Sequence, residues 1–410
     1  MSIGVCRFCD RPLQHTFANL GMSPLANSYI KSAQMNQVER FFPLHALVCD
    51  GCFLVQLQEF ESPEAIFGDY AYFSSFSDSF LQHAKTYVEM AVDRFKLNGK
   101  SQVVEVASND GYLLQYFVQK GVPVLGIEPA ANVAEVARKR GITSLVKFFG
   151  TQTALEMKQE GRQADLLVGN NVLAHVPNLN DFVAGIKIVL KAEGVVTMEF
   201  PHLVRLIEDG LFDTIYHEHF SYFSFFTVEQ VFAKHGLVLF DVEEVSTHGG
   251  SLRIYGRHAE HHARPISPRV AELKQREKDL KLDRLEPYLT FSGRVEQVKR
   301  NLLRFLIDAK DAKKVIAAYG APAKGNTLLN YCGIRTDFID YTIDRSPHKQ
   351  GQYLPGSHIP ILSPDAAKET KPDYLLILAW NLKDEIMEQM RFIREWGGRF
   401  VVPLPDVTIY

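Results

Sequence analysis

The chain has 410 residues, and the 46% that are hydrophobic are enough for about two to three domains, each with its own core. Its 45 lysines and arginines against 48 aspartates and glutamates leave a net charge of −3 without a long run of like charge, so nothing attracts a polyanion. No apolar stretch reaches the roughly 18 residues that span a bilayer, and the opening residues lack the apolar core of a signal peptide. We therefore expect a cytoplasmic protein that binds neither nucleic acid nor a membrane.

Four of the five cysteines form two pairs near the start of the chain. Cys6 and Cys9, like Cys49 and Cys52, are separated by two residues, a spacing that lets both thiolates bind one tetrahedral ion. Short apolar runs follow the second pair, so we predict a zinc ribbon-like module in which structural zinc supplies stability. Free buried cysteines, disulfides and a nucleic-acid-reading ribbon are the alternatives. A catalytic zinc is disfavoured, because four thiolates leave no open position.

A βαβ unit of the kind that binds nucleotide-like cofactors follows. An apolar run at 102–106 leads into the turn at 107–111, and a second strand at 124–127 ends at Glu128, where a carboxylate can accept both hydroxyls of a ribose. The turn has only Gly111, not the three glycines of a pyrophosphate site, and its Asp110 suits a cationic sulfonium or ammonium. The residues therefore favour S-adenosylmethionine over a nicotinamide dinucleotide, although a helix N-cap would also explain Asp110.

The next predicted strands, at 164–169 and 194–200, continue this sheet. Asn170 and Asn171 follow the first of them, so the segment through His175 lies at the carboxyl edge, where α/β proteins bind ligands. His175 is either a hydrogen-bonded loop histidine or a ligand contact. Phe148 and Phe149 follow an earlier strand and either stack on an adenine or pack in the core.

The densest group of polar and aromatic side chains lies at 212–224. It contains two tyrosines, two histidines and a glutamate, namely Tyr216, His217, Glu218, His219 and Tyr222. These side chains offer a base, a carboxylate and donors for an oxyanion. A metal site and a plain hydrogen-bonded loop are the alternatives. The metal site is disfavoured, because neighbours on a strand point to opposite faces and cannot all reach one ion. A second group, at 68–75, either packs the zinc module onto the next domain or covers the cofactor.

The character of the sequence changes after residue 257. Residues 267–312 are charged and helical in pattern, and a strand at 314–319 then runs into Gly320 and Lys324 at the start of a helix. This is not a P-loop, because Lys324 precedes the second glycine, yet the amides at that helix start can hold a diphosphate. We predict phosphate contact from this half, and an ordinary α/β domain is the alternative.

The order of these motifs resembles that of the nucleotide-sugar C-methyltransferases. The resemblance covers essentially the whole chain and rests on several unrelated signatures: the two Cys-x2-Cys pairs with Gln-Leu at 56–57, Tyr-x-Tyr-x-Ser-Ser at 70–75, Glu-Val-Ala-Ser-Asn-Asp-Gly at 105–111, Gly-Ile-Glu-Pro at 126–129, Asn-x-x-x-His-x-Pro at 171–177, Tyr-His-Glu-His-Phe at 216–220 and Ala-Trp-Asn at 379–381. Such enzymes transfer a methyl group from S-adenosylmethionine to a carbon of a deoxysugar, typically C3 of a TDP-linked 4-keto-6-deoxyhexose.

The resemblance implies roles for residues at matching positions. His219 matches the general base, and the rest of the catalytic set is Glu218, Tyr216, Tyr70 and His175. The cofactor-binding set is Tyr72, Ser74, Glu105, Ala107, Asn109, Asp110, Gly111, Glu128, Pro129, Phe148, Phe149, Asn170 and Asn171. The substrate-binding set is Tyr222, His248, Gly249, Lys324, Asn326, Arg345, Lys349, Trp380 and Asn381. The zinc ligands are Cys6, Cys9, Cys49 and Cys52.

Together these observations predict an α/β protein in four parts. They are a zinc ribbon-like module at 1–68, a class I, Rossmann-like methyltransferase domain at 69–257, a helical connector at 258–312 and a smaller Rossmann-like domain at 313–410. The expected reaction is C3 methylation of a TDP-4-keto-6-deoxy sugar by a monomer, with S-adenosylhomocysteine as the product. Methylation at C5 or on oxygen, and a non-catalytic zinc-stapled nucleotide-binding scaffold, are the alternatives.

Overall fold

The structure is a computed structural model that describes residues 4–67, 74–76 and 78–410. The N-terminal module has six short strands and one short helix: β1 Gly4–Val5, β2 Pro12–Leu13, β3 His15–Ser23, β4 Ile30–Lys31, β5 Phe42–Val48, β6 Val55–Gln56 and α1 Pro63–Phe67. β1 and β2 form a hairpin, and β3, β5 and β6 pair antiparallel in that order. The two cysteine pairs lie in the turns after β1 and β5. This arrangement confirms the ribbon-like module.

An α/β domain built on one large sheet comes next. Its elements are α2 Asp78–Phe95, β7 Val103–Val106, α3 Leu114–Gln119, β8 Val124–Ile127, α4 Ala131–Lys139, β9 Ser144–Leu145, α5 Thr151–Gln159, β10 Ala164–Asn170, α6 Leu179–Val189, β11 Leu190–Pro201, α7 Leu203–Glu208, β12 Ser221–Tyr222, α8 Phe225–Lys234, β13 Leu237–Val245 and β14 Ser251–His258. The strands expected in the sequence near 102–106, 124–127, 164–169 and 194–200 are all present.

The order of strands in this sheet is β13-β14-β11-β10-β7-β8-β9. β7 to β11 run parallel, and β14 is antiparallel to both of its neighbours. β7 and most of β10 are buried on both faces by the flanking helices, as expected for parallel strands. The direction of strand succession reverses between β7 and β10, and this is where an open α/β sheet binds its ligand. The predicted Rossmann-like fold is confirmed.

Three connecting helices lead to a second, smaller α/β sheet. The connectors are α9 Pro268–Asp279, α10 Glu286–Leu289 and α11 Phe291–Asp311. The last domain contains β15 Ile316–Tyr319, α12 Ala323–Cys332, β16 Thr342–Ile343, β17 Gln352–Tyr353, β18 Ile361–Leu362, α13 Ala366–Thr370, β19 Tyr374–Ile377, α14 Lys383–Gln389, β20 Arg399–Val402 and β21 Thr408–Ile409. Its strand order is β18-β16-β15-β19-β20-β21, and only β21 is antiparallel to its neighbour.

Strand pairs tie the N-terminal module to both other domains. β12 of the methyltransferase domain joins the edge of the module's sheet beside β6, and β4 pairs with β17 of the C-terminal domain. One hydrophobic core runs from β3 through α11 to the C-terminal sheet, and Phe17 of β3 stacks on Phe291 of α11 with ring centroids 4.4 Å apart. The three domains therefore meet around a common centre. In the part of the chain that the structure describes, no helix has the length and apolar character needed to cross a membrane.

Candidate active site

A cavity of about 540 Å³ lies where the three domains meet. The carboxyl ends of β7, β8, β10 and β11 form one side of it, and the turn before α12 together with the segment after β19 forms the other. The loop after β3 also reaches the cavity. Its volume is that of a pocket for a cofactor-sized ligand, and its position is the switch point of the large sheet.

Glu128 lies at the end of β8 and lines the cavity. Its two carboxylate oxygens accept hydrogen bonds from the backbone N–H groups of Ala130 at 2.9 Å and Asn109 at 3.0 Å. Each oxygen retains a lone pair for a further donor. Burial raises the pKa of this carboxyl group. Such a carboxylate is suited to a pair of neighbouring hydroxyl groups, as the sequence predicted.

The turn at 107–111 adopts the backbone shape of a glycine-rich turn with few glycines. Ala107 and Asn109 have φ values of 54° and 49°, in the region that normally favours glycine. Gly111, at φ 79°, packs so closely on Ile142 that a side chain would collide with it. Such strained residues cluster at ligand sites. The turn thus keeps its shape despite the missing glycines.

Asp110 does not line the cavity. Its carboxylate lies 3.3 Å from the Arg140 guanidinium and accepts a hydrogen bond from Ser75. The expectation that it faces a cofactor ammonium therefore has no support in this geometry, because Arg140 neutralises it. The N-cap interpretation is wrong as well, since α3 begins at Leu114 and no side chain caps it.

The other predicted cofactor residues divide into two groups. Those that line the cavity with Glu128 are Ser74, Ala107, Asn109, Pro129, Phe148, Phe149, Asn170 and Asn171. Glu105, on β7, and Gly111, the last residue of the turn, do not line the cavity, and burial raises the pKa of Glu105 well above its ordinary value. Phe148 is 41% exposed and so is not a core residue, whereas Phe149 packs edge-to-face on Phe182. Tyr70 and Tyr72 lie outside the described residues.

His219 and Tyr216 form a hydrogen-bonded pair at the cavity wall. His219 Nδ1 lies 2.9 Å from the Thr214 carbonyl oxygen, which can only accept, so Nδ1 carries the proton. The Nε2 lone pair then accepts from the Tyr216 hydroxyl at 2.8 Å. His175 packs edge-to-face on His219 with ring centroids 4.6 Å apart. The sequence-predicted catalytic residues Tyr216, Glu218, His219 and His175 all line this one cavity.

The buried histidines of this wall are electrically neutral. Burial and the neighbouring His175 lower the pKa of His219 well below the ordinary 6.5. Burial lowers the pKa of both His175 and His248 to about 4. At neutral pH each ring therefore has an unprotonated nitrogen. A neutral imidazole is the form that can take up a proton.

The sequence expectation of a strand at 217–219 is wrong. These residues form a turn, in which the His219 backbone N–H donates to the Tyr216 carbonyl at 2.8 Å. The turn directs His217 to the Pro43 carbonyl oxygen, 3.2 Å away, and Glu218 to Asn27. The three side chains thus diverge, and the metal alternative has no support. Among the described residues, the four cysteines are the one group of ligating side chains arranged to hold a metal ion.

Lys324 lies on the C-terminal side of the cavity. Its ammonium donates to the Asn381 side-chain oxygen at 3.0 Å and lies 4.6 Å from the Trp380 ring centroid. The Trp380 indole N–H in turn donates to buried Asp213 at 2.7 Å. Burial raises the pKa of Asp213 to about 6. Burial also lowers the pKa of Lys324, and the negative charge of Asp213 partly offsets that lowering.

The remaining predicted substrate residues also divide in two. His248 and Lys349 line the cavity with Lys324 and Asn381. The others, which do not line it, are Tyr222, Gly249, Asn326, Arg345 and Trp380. Arg345 is exposed, Asn326 is buried in α12, and Gly249 packs against Trp380.

The four N-terminal cysteines converge with the geometry of a zinc site. The sulfur–sulfur distances are 3.6 Å for Cys6 and Cys52, 3.5 Å for Cys9 and Cys49 and 3.6 Å for Cys9 and Cys52. Four sulfurs bound tetrahedrally at about 2.3 Å are roughly 3.8 Å apart, so one ion fits. Gln56 Nε2 donates to Cys6 Sγ at 3.1 Å. None of the five cysteines forms a disulfide, so that alternative is wrong.

Comparison with known proteins assigns the chain to a family. It is 36% identical over 409 residues to the C-methyltransferase NovU of Streptomyces niveus, and the match covers 99% of this chain and 97% of that protein. The chain belongs to the C-methyltransferase family. Three family models match consecutive parts of this C-methyltransferase: a zinc binding domain at 6–67, a methyltransferase domain at 80–242 and a C-methyltransferase C-terminal domain at 246–405. The family expected from the motifs is thus confirmed.

Two further similarities cover less than half of this chain. A ubiquinone biosynthesis O-methyltransferase of Pasteurella multocida is 30% identical over 111 residues, which are 24% of this chain and 46% of that protein. The magnesium protoporphyrin IX methyltransferase structure from Synechocystis PCC 6803 has a TM-score of 0.33 and 14% identity, and covers 43% of this chain and 78% of that one.

Three residues of this C-methyltransferase site were not predicted from the sequence. Asn27 contacts Glu218 from 191 positions away, a distance at which no local pattern carries information. Thr214 orients His219 through its backbone carbonyl, which every residue type has. Asp213 belongs to the sequence cluster at 212–224, but it was not singled out there. Its burial and its hydrogen bond with Trp380 arise only when the domains pack together.

Proposed function

We propose that this C-methyltransferase uses S-adenosylmethionine to methylate C3 of a TDP-4-keto-6-deoxy sugar, with His219 as the general base. The observation that carries the proposal is that one cavity joins Glu128, a carboxylate suited to ribose hydroxyls, with the buried, neutral pair of His219 and Tyr216. The large sheet supports it, because its ligand edge faces this cavity.

S-adenosylmethionine, when bound, supplies a methyl group on a positively charged sulfonium sulfur. The residues that would hold it are Glu128 at the ribose, the turn with Asn109 at the amino-acid end, and Phe148 at the adenine. The fit rests on the free lone pairs of Glu128 and on the exposed ring of Phe148 at the cavity. Asn170 and Asn171 line the wall between this end and His219.

His219 would remove the proton from C3. The C3–H electron pair passes into the enolate of the C4 ketone, and the proton goes to Nε2, whose lone pair the Nδ1 hydrogen bond to Thr214 directs toward the Tyr216 hydroxyl. Once Nε2 is protonated, the Tyr216 hydroxyl is released to donate to the enolate oxygen. The enolate carbon would then be the nucleophile for the methyl group that bound S-adenosylmethionine supplies, with S-adenosylhomocysteine as the product. Holding the two reactants in line contributes much of the acceleration.

Lys324 and Lys349 would hold the diphosphate of the nucleotide sugar. Both line the cavity near the start of α12, where backbone N–H groups add to their positive charge. Lys324 is held by Asn381 and by the Trp380 ring face, so its ammonium is oriented before a ligand arrives. An anion here would also offset the burial that lowers the pKa of Lys324.

A mass-spectrometric screen tests the substrate. Purified protein is incubated with S-adenosylmethionine and a panel of 4-keto nucleotide sugars, and we expect one sugar to gain one methyl group that fragmentation places on C3. A methyl group on C5 or on oxygen would identify the alternative reaction. Absence of transfer to every member of the panel, with intact cofactor binding, would contradict the proposed substrate.

Replacement of His219 tests the base. We expect His219→Asn to lower solvent exchange of the substrate C3 hydrogen, and methyl transfer with it, by roughly 100-fold or more, the scale of general-base catalysis. The affinity for S-adenosylmethionine, measured by calorimetry, should stay unchanged. His235→Asn is the matched control, because His235 lies at the end of α8 and pairs with Asn180 away from the cavity. Undiminished exchange in the His219 variant would rule it out as the base.

A further inference from the structure

The N-terminal module holds the turn at 216–220 from several sides. β6 pairs with β12, so the residues directly after this turn belong to the module's own sheet. The backbone N–H of Leu57 donates to the Phe220 carbonyl at 3.0 Å. Arg7, between the first two cysteines, places its guanidinium 5.3 Å from the Phe220 ring centroid. The turn that carries His219 is therefore built on the N-terminal module as well as on the methyltransferase sheet.

Asn27 is one of the residues with which this module reaches the cavity. It follows β3, is half-buried and lines the cavity wall. Its side-chain nitrogen lies 2.6 Å from Glu218 Oε1. An ionised carboxylate only accepts hydrogen bonds, so the amide nitrogen must face Glu218 and donate to it. Hydrogen bonds of this kind are strong and favour the charged form of the carboxyl group.

Tyr29 holds the same loop against the C-terminal domain. Its hydroxyl donates to the Ala321 carbonyl at 2.7 Å and lies 3.3 Å from Asn27 Oδ1. The Lys349 ammonium donates to the same Ala321 carbonyl at 2.9 Å and lies 5.3 Å from the Tyr29 ring centroid. Ala321 directly precedes the start of α12. Asn27 is thereby held in place from the side opposite Glu218.

We propose that Asn27 is a positioning residue that keeps the Glu218 carboxylate ionised and directed into the cavity beside His219. This rests on the proposed function, in which His219 takes up the C3 proton. Burial disfavours the imidazolium that this step creates, and an ionised carboxylate at the same cavity wall offsets that cost. The N-terminal module thus contributes to proton abstraction through Glu218.

Other titratable groups also act on this carboxylate. His175, from the turn after β10, interacts with the Glu218 backbone, and Tyr29 lies on the other side of Asn27. His219 precedes β12, and Lys324 and Lys349 face the cavity from the C-terminal domain. The pH dependence of kcat in an Asn27 variant is therefore compared with that of the wild type, because these groups are present in both proteins.

Two variants of Asn27 test the proposal. Asn27→Ala removes the donor, and we expect kcat and C3 hydrogen exchange to fall roughly 10- to 100-fold, the range for a lost hydrogen bond to a charged group, with KM and cofactor affinity unchanged. Asn27→Asp keeps the shape but sets a second carboxylate against Glu218. We expect kcat to be low at neutral pH, where the two carboxylates repel each other. It should recover partly as pH falls, because a proton shared between the two carboxyl groups restores a hydrogen-bond donor to Glu218. The optimum pH of this variant should therefore move down.

Asn19→Ala is the control from the same module. Asn19 is exposed on β3, where its side-chain oxygen accepts the Gly21 N–H at 2.9 Å, and the variant should match the wild type in kcat. Wild-type kcat in Asn27→Ala, or an unshifted pH profile in Asn27→Asp together with parallel losses of cofactor affinity, would overturn the proposal. If the wild type itself exchanges no C3 hydrogen, the proposed function fails and this inference fails with it.

Discussion

The Thr214 carbonyl determines which nitrogen of His219 is free. Because it holds the Nδ1 proton, Nε2 is the acceptor, and the Tyr216 hydroxyl is its partner before substrate arrives. In the proposed reaction, proton uptake at Nε2 and release of the Tyr216 hydroxyl would therefore be coupled: the step that creates the enolate would also free a donor for it. His219 would take up the proton, and the hydrogen-bonded Tyr216 would donate to the enolate oxygen.

At the same scale, Gly249 packs against Trp380 on the C-terminal side of the cavity, so its replacement should disturb that side. Its φ is 89°, and a Cβ there would lie 2.9 Å from Cζ3 of Trp380, the ring on which Lys324 rests. We expect Gly249→Ala to lower the free energy of unfolding by about 2–4 kcal/mol, from backbone strain and overpacking together. Urea denaturation measures this change.

Gly21→Ala is the control for backbone strain alone. Gly21 has a similar φ of 74° and no atom within 4 Å of the added Cβ. Its cost should be about 1 kcal/mol. Equal losses of stability in the two variants would mean that contact with Trp380 adds nothing.

At the scale of elements, Gln56 connects the cysteine cluster to the β6–β12 pair. Its Nε2 donates to Cys6 Sγ, and its Oε1 accepts from the Arg7 backbone N–H at 2.9 Å. Gln56→Glu keeps the shape but replaces that donor with a carboxylate oxygen, which repels a thiolate. We expect zinc affinity, measured by competition with a chelator, to fall roughly 10- to 100-fold, the usual effect of losing such an outer partner.

Gln37→Glu introduces the same charge at an exposed site of the same module. It should leave zinc affinity unchanged. A loss of affinity in this variant as large as that in Gln56→Glu would attribute the effect to net charge and not to the hydrogen bond at Cys6.

The turn after β7 shows where motif reasoning was limited at this scale. The glycine count argued against a dinucleotide site, yet Ala107 and Asn109 adopt the left-handed backbone that the glycines would supply. Sequence could place this turn, because the apolar run before it and the helix after it are local patterns. It could not give the turn's dihedral angles, since the surrounding contacts hold them there.

At the scale of the whole molecule, the buried histidines make stability depend on pH. His175 and His248 have pKa values of about 4 in the folded protein, against about 6.5 in an unfolded chain. The unfolded chain therefore binds more protons between these values, and the free energy of unfolding falls as pH drops from about 6.5 to about 4. Asp213, with its pKa raised to about 6, acts in the opposite direction and offsets part of this loss.

We expect the melting temperature to decrease over this pH interval and the decrease to be smaller in His248→Asn. Asparagine tolerates the positive φ of 55° at this position, so the backbone should be kept. His348→Asn, at an exposed residue, should retain the wild-type slope. A melting temperature that is independent of pH across this interval would show that the histidines are not buried as described.

The sequence alone determined those features that follow from short local motifs. The paired cysteines predicted the metal module, and the βαβ pattern predicted the large sheet with Glu128 at its carboxyl edge. The cluster of Tyr216, Glu218 and His219 predicted the polar centre, although not its turn. Each of these groups is a local pattern in the chain. The tertiary structure decided the rest: that Arg140 neutralises Asp110, that Asp213 supports Trp380 beneath Lys324, and that Asn27 meets Glu218. The first contact lies within the methyltransferase domain, where α4 packs against the turn after β7. The other two join residues of different domains, which β12 and β17 help to bring together around one cavity.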